Sequence, residues 1–180
     1  MPACRSAVSS MAGDVCDMVE LDALVELAAR RLALAVDVAA AKFVSGKRVD
    51  DAAREQEILA WAADRLGEVG PGRDARVAFF RDQIEANKII QRGLLAHWRG
   101  RSQDFPGRPR SLTADVRPAL DAVNKHMLLL VSGLKPAMPG QRVLARAMLA
   151  RKLAATPALR DLSELRRQAA DVALGSLPSA

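Results

Sequence analysis

Arg31 and Lys42 are the two cations inside an otherwise mostly apolar stretch, "RLALAVDVAAAKF". A separation of eleven residues is three helical turns plus about 20° at 3.6 residues per turn. Arg31, Ala35, Val38 and Lys42 therefore form one stripe, with small apolar residues between two cations. Asn87 and Gln91 sit likewise in the middle of a helical face made by Phe80, Ile84, Leu94, Leu95 and Trp98. A buried amide without partners costs roughly 1–3 kcal/mol. Two further segments add polar groups: "VDDAARE" carries Asp51, Arg54 and Glu55, and "DVRPALDAVN" carries Arg117 beside an apolar stripe.

Each of these residues has a bland reading when taken alone. The amides could be satisfied by a loop or water, and Asp51, Arg54 and Glu55 could form an exposed ion-paired turn. Together, three arginines, one lysine and two amides project from inward or semi-inward positions on four segments. No matching set of buried carboxylates stands opposite them. Unpaired buried cations are expensive, and a bound anion resolves the imbalance. Arginine pairs bidentately with carboxylate, so the expected ligand is small and polar, with more than one carboxylate.

The usual catalytic machinery is missing. There are two histidines. His97 is expected as a cap at a helix C-terminus, and His126 falls off its apolar stripe, in solvent. No Ser-His-Asp or Cys-His arrangement, phosphate-binding glycine loop or metal-ligand spacing is present. An enzyme built from these residues works without a nucleophile, metal or cofactor.

The elements that must position these groups read as helices. The chain has 180 residues, half of them apolar, with no Tyr and few β-branched or aromatic residues. That composition favours an all-α fold. Apolar periodicity and breaks predict six helices, over about 19–45, 51–66, 73–99, 115–132, 139–154 and 157–174. Asp115 is the expected N-cap of the fourth, with Pro118 in its first turn. Arg117 near that helix N-terminus is a mild misfit with the helix dipole. Short connections make the helices a bundle. Leu34, Val38, Ile58, Phe80, Ile84, Leu94, Leu120, Val123 and Met127 are the expected core.

The net charge is +6, which admits nucleic acid, an anionic surface or a small anion as partner. Acidic residues interrupt the basic ones and stacking residues are scarce, which disfavours nucleic acid. No apolar run has the length of a membrane span. Residues 1–18 read as an N-terminal extension, poorly ordered or closed by a Cys4–Cys16 disulfide, ahead of a helical domain at 19–180. No basic segment followed by an apolar one marks a signal peptide.

The segments "RRLALAVDVAAAKF", "VDDAARE", "FFRDQIEANKIIQ" and "RPALDAVN", in that order and spacing, resemble the all-helical AroQ-type chorismate mutases. The resemblance covers roughly residues 20–130, and the added C-terminal helices look like the exported gamma subclass. It implies a complete site within one chain, a periplasmic or secreted location with cytoplasmic as the alternative, and room for a homodimer. Chorismate would be the substrate, with no cofactor, nucleic acid or membrane.

The resemblance also implies residue roles. Arg31 and Arg117 match carboxylate-binding arginines, and Arg54 a second-helix arginine of the site. Lys42 matches the lysine that donates to the substrate's ether oxygen, and Gln91 the residue that faces that oxygen. Glu55 matches the acid that accepts from the substrate hydroxyl, and Asp51 the aspartate whose main chain lies nearby. Asn87 stands where the family usually has Ser or Thr. The competing readings are a non-catalytic helical protein that binds a small dicarboxylate and a basic helical nucleic-acid binder.

Overall fold

The computed structural model describes residues 3–67, 70–134 and 137–177, with side chains from Met18 onward except that of Pro71. The proposed Cys4–Cys16 pairing lies outside the described side chains. Six α-helices run in chain order: α1 Ala3–Ser45, α2 Ala52–Arg65, α3 Pro71–Gly100, α4 Arg117–Gly133, α5 Pro139–Leu153 and α6 Ser163–Ala173. No β-strand occurs among the described residues.

α1 is the central helix and packs on α3, α4 and α5, while α3 also carries α2 and α6. Its apolar faces supply Leu24, Val25, Ala28, Leu32, Ala35 and Ala39 to the core, with Phe79, Phe80, Ile90 and Leu94 from α3. Gly46, at φ +69°, ends α1 in the left-handed conformation that glycine adopts without strain. Gly93 serves a different need. A Cβ there would stand 2.5 Å from the Leu165 side chain, so the missing side chain lets α6 approach α3 closely.

Three local expectations are corrected. The cap ahead of α4 is Ser111, whose hydroxyl accepts from the Ala114 N–H at 3.1 Å. Asp115 instead reaches back to accept from the Ser111 N–H at 3.1 Å. A π-helical turn, Leu112–Val116, joins this cap to α4. Arg117 therefore stands one turn inside a continuous helical run, which eases the dipole misfit. The last helix starts at Ser163, because "TPAL" forms only a 3₁₀ turn at Pro157–Leu159. His97 is no helix cap. Its Nε2 lies 2.8 Å from Asp104 Oδ2 in the turn after α3, where Phe105 packs on Phe43 and Trp98. His126 is exposed, as its position off the apolar stripe of α4 requires.

Of the expected core, Val38, Phe80, Ile84, Leu94, Val123 and Met127 are buried. Leu34 is half-buried against the core. Ile58 and Leu120 are half-exposed for another reason: both line a cavity between α1, α2, α3 and α4.

Candidate active site

The cavity measures about 390 Å³. Arg31 and Lys42 of α1, Asp51, Arg54 and Glu55 at the start of α2, Asn87 and Gln91 of α3, and Arg117 of α4 all line it. All eight residues singled out in the sequence thus surround one space within a single chain.

The α1 stripe forms one wall. Ala35 and Val38 are buried between the two cations. Arg31 is 3% exposed. Its Nε donates to Asn124 Oδ1 at 3.0 Å and one terminal nitrogen donates to the Gln83 carbonyl. Burial lowers its pKa to about 10, so it is charged at neutral pH. Lys42 is 8% exposed. Its Nζ donates to the Val49 carbonyl at 2.6 Å. Desolvation holds its pKa below the ordinary lysine value; the charges of Asp51, Asp50 and Glu55 oppose that shift, and Arg117 adds to it. Among the described residues neither cation forms an ion pair, and both are held by neutral oxygens.

The rim differs. Arg117 faces Asp51 at 3.5 Å, both half-exposed. Arg54 stands where the cavity meets a second one of about 300 Å³, paired with Asp121 and, at 2.9 Å, with Glu57. The sequence argument finds no matching set of buried carboxylates and allows Asp51, Arg54 and Glu55 an exposed ion-paired turn. Carboxylates are present at the exposed edge, and none forms an ion pair with Arg31 or Lys42 among the described residues.

The N-terminus of α2 is fixed by a reciprocal cap. The Asp51 side chain accepts from the Arg54 N–H at 3.2 Å, and Glu55 Oε1 accepts from the Asp51 N–H at 3.3 Å. On α3, Gln91 Nε2 donates to Asn87 Oδ1 at 2.6 Å, and Asn87 Nδ2 donates to the Arg31 carbonyl at 3.5 Å. Gln91 Oε1 is buried without a partner. The amide thus keeps one N–H and one oxygen uncommitted.

Sequence reasoning missed Asn124, Lys88 and Arg48, which also line the cavity. Asn124 stands two turns after Arg117 on the same face, a spacing that gives its face but not its partner, Arg31 of α1. Lys88 lies one turn before Gln91, and only its partner Glu55 in α2 shows its direction. Arg48 belongs to the α1–α2 connection, where no periodicity applies. Chemically, the cavity offers buried positive charge, a pair of oriented amides and one fixed carboxylate.

The family profile described as chorismate mutase type II matches residues 20–92. The secreted chorismate mutase of Mycolicibacterium smegmatis is 33% identical over 114 residues, which cover 62% of this chain and 61% of that protein. The secreted chorismate mutase of Mycobacterium tuberculosis is 33% identical over 111 residues, covering 61% of this chain and 54% of that protein. The chain thus spans less than two thirds of the length of these relatives. Among solved structures, a chorismate mutase from Burkholderia phymatum superposes with a TM-score of 0.73 at 30% identity. It covers 91% of this chain and 99% of its own. A second, from Burkholderia thailandensis, gives 0.66 at 31% identity, covering 88% and 98%. With its helices matched over nearly the whole length of both structures, the chain belongs to the type II, all-helical AroQ family of chorismate mutases.

Proposed function

We propose that this protein catalyses the rearrangement of chorismate to prephenate. The observation that carries the reading is the pair of buried cations, Arg31 and Lys42, held by neutral oxygens at the two ends of one cavity. Such cations are costly unless a ligand supplies the negative charge. A cavity of about 390 Å³ set between four helices favours a small dicarboxylate over a polymer backbone.

The reaction is unimolecular. The C–O bond breaks as the new C–C bond forms, and no proton need move. The protein's work is to hold the reactive conformer and to stabilise charge that develops on the ether oxygen. In this reading Arg31 and Arg117 bind the two carboxylates, and Arg54 leaves its rim pairing to join them. Lys42 and the uncommitted N–H of Gln91 donate to the ether oxygen. Glu55 accepts from the substrate hydroxyl beside the Asp51 main chain. Asn87 orients Gln91, in keeping with their hydrogen bond.

The secreted relatives support export to the periplasm or beyond the cell. No described helix is long and apolar enough to cross a membrane. The test is loss of chorismate absorbance on adding purified protein, with prephenate identified as product. No turnover refutes the reading.

A further inference from the structure

Among the described residues, Lys88 is the buried cation that the mechanism above does not use. It follows Asn87 on α3, lines the same cavity and is 9% exposed. Its ammonium lies 2.6 Å from Glu85, 3.0 Å from Glu55 and 3.7 Å from Asp50. Burial opposes its charge, but the hydrogen bonds to Glu85 and Glu55 and the negative charges of both together hold its pKa above the ordinary lysine value.

The consequence falls on Glu55. Its Oε1 accepts from the Asp51 N–H and its Oε2 accepts from Lys88 Nζ. The carboxylate is therefore gripped from two elements, the N-terminus of α2 and the middle of α3. A glutamate on the first turn of a helix otherwise samples several rotamers, most of them toward water. Two of its roughly four lone-pair sites are used by these bonds, which leaves others for a ligand. Glu85 steadies the lysine in turn, through an i, i+3 pair on its own helix.

We infer that Lys88 is a positioning residue for substrate recognition: it clamps Glu55 so that the carboxylate presents a fixed acceptor to the hydroxyl of the bound substrate, and so sets the preference for a hydroxylated ligand. The inference rests on the chorismate mutase reading and on Glu55 as hydroxyl acceptor. A lysine that merely stapled α3 to α2 would affect all substrates alike. A lysine that aims Glu55 affects only substrates with the hydroxyl.

The experiment compares chorismate with a chorismate analogue that lacks the ring hydroxyl, on wild type and on Lys88→Met. The variant should lose about tenfold in kcat/KM for chorismate, the size of one hydrogen bond to a charged group. The loss should appear mainly in KM, with kcat/KM for the deoxy analogue changed less than about twofold. Lys88→Arg should recover part of the preference. Lys88→Met leaves Glu55 and Glu85 without their cation, so Lys88→Met/Glu85→Gln, which removes one charge of each sign, is measured beside it as the variant that keeps local charge balance. Equal losses on both substrates, or no loss on either, overturn the assignment. A wild type that does not consume chorismate refutes the functional reading itself, before any variant is compared.

Discussion

Replacing Lys42 by Met removes the ammonium and keeps most of the apolar stem. The folded protein loses one hydrogen bond, to the Val49 carbonyl in the α1–α2 connection, a cost of about 1 kcal/mol. It also sheds a desolvated charge that forms no ion pair among the described residues. The two effects oppose each other, so the variant should fold. The catalytic loss is larger. A developing charge of about one half, roughly 3 Å from the ammonium at an effective dielectric of about 20, is stabilised by about 3 kcal/mol. That corresponds to roughly 10²-fold in rate, within the range found when a single oxyanion donor is deleted. The ether oxygen carries little of this charge in the ground state, so the loss belongs in kcat and not in KM. The assay is the initial rate of chorismate disappearance across a range of substrate concentrations, with circular dichroism to establish that the variant is folded. A folded Lys42→Met with unchanged kcat and a raised KM would show that Lys42 binds ground state and transition state equally, and the electrostatic argument would fail.

Four further outcomes follow from the same site. Lys42 must be protonated to act, and desolvation lowers its pKa in the free protein; kcat/KM should therefore fall as pH rises through a value below the ordinary lysine 10.5, and the kcat limb, which reports the carboxylate-loaded complex, should lie at higher pH. A kcat/KM limb at or above the ordinary value would contradict this. Gln91→Glu should restrict activity to acid, because only the protonated acid can donate to the ether oxygen and the carboxylate would repel its developing charge; superimposable pH profiles would remove Gln91 from that oxygen. Asn124→Leu takes the acceptor from Arg31 Nε, bonded at 3.0 Å, and should raise KM several-fold; an unchanged KM means the guanidinium needs no such orientation. Specific activity should stay constant on dilution, since every residue assigned to the site lines a cavity within one chain; a concentration-dependent loss would mean that a second chain is needed.

The parts of the fold that depend on a residue's own spacing were legible in the sequence. The α1 stripe and the polar positions in the α3 face follow from the helical period; Gly46 marks where α1 stops, and the Pro-Gly pairs at Pro71 and Pro139 mark where α3 and α5 begin. The cap of α4 was misread because Asp115 and Ser111 both suit the role; the π turn that lets both bond was not legible in composition. Asn124 and Lys88 were missed for a deeper reason. Their functions lie in partners on other helices, Arg31 of α1 and Glu55 of α2, and no periodicity in α4 or α3 reports what stands opposite. Ile58 and Leu120 erred the other way. An apolar residue on an inward stripe reads as core whether it meets packed side chains or a ligand cavity.

The division between buried and rim cations bears on how such a site can be both stable and ready. Arg54 and Arg117 sit at the exposed edge with Asp121 and Asp51 as partners. Exposed ion pairs are worth little, so a substrate carboxylate can displace those partners at small cost. Arg31 and Lys42 are buried, where displacing a carboxylate would strand a second desolvated charge. Carbonyl and amide oxygens hold them instead, fixing direction without neutralising charge. The fold bears the desolvation cost in the empty state, visible in the lowered pKa of both groups. A ligand that brings its own negative charge relieves that cost on binding, and an interaction that strengthens with charge on the ether oxygen relieves it further in the transition state. Pairing Arg31 or Lys42 with a carboxylate of the protein would give a safer core and a weaker catalyst.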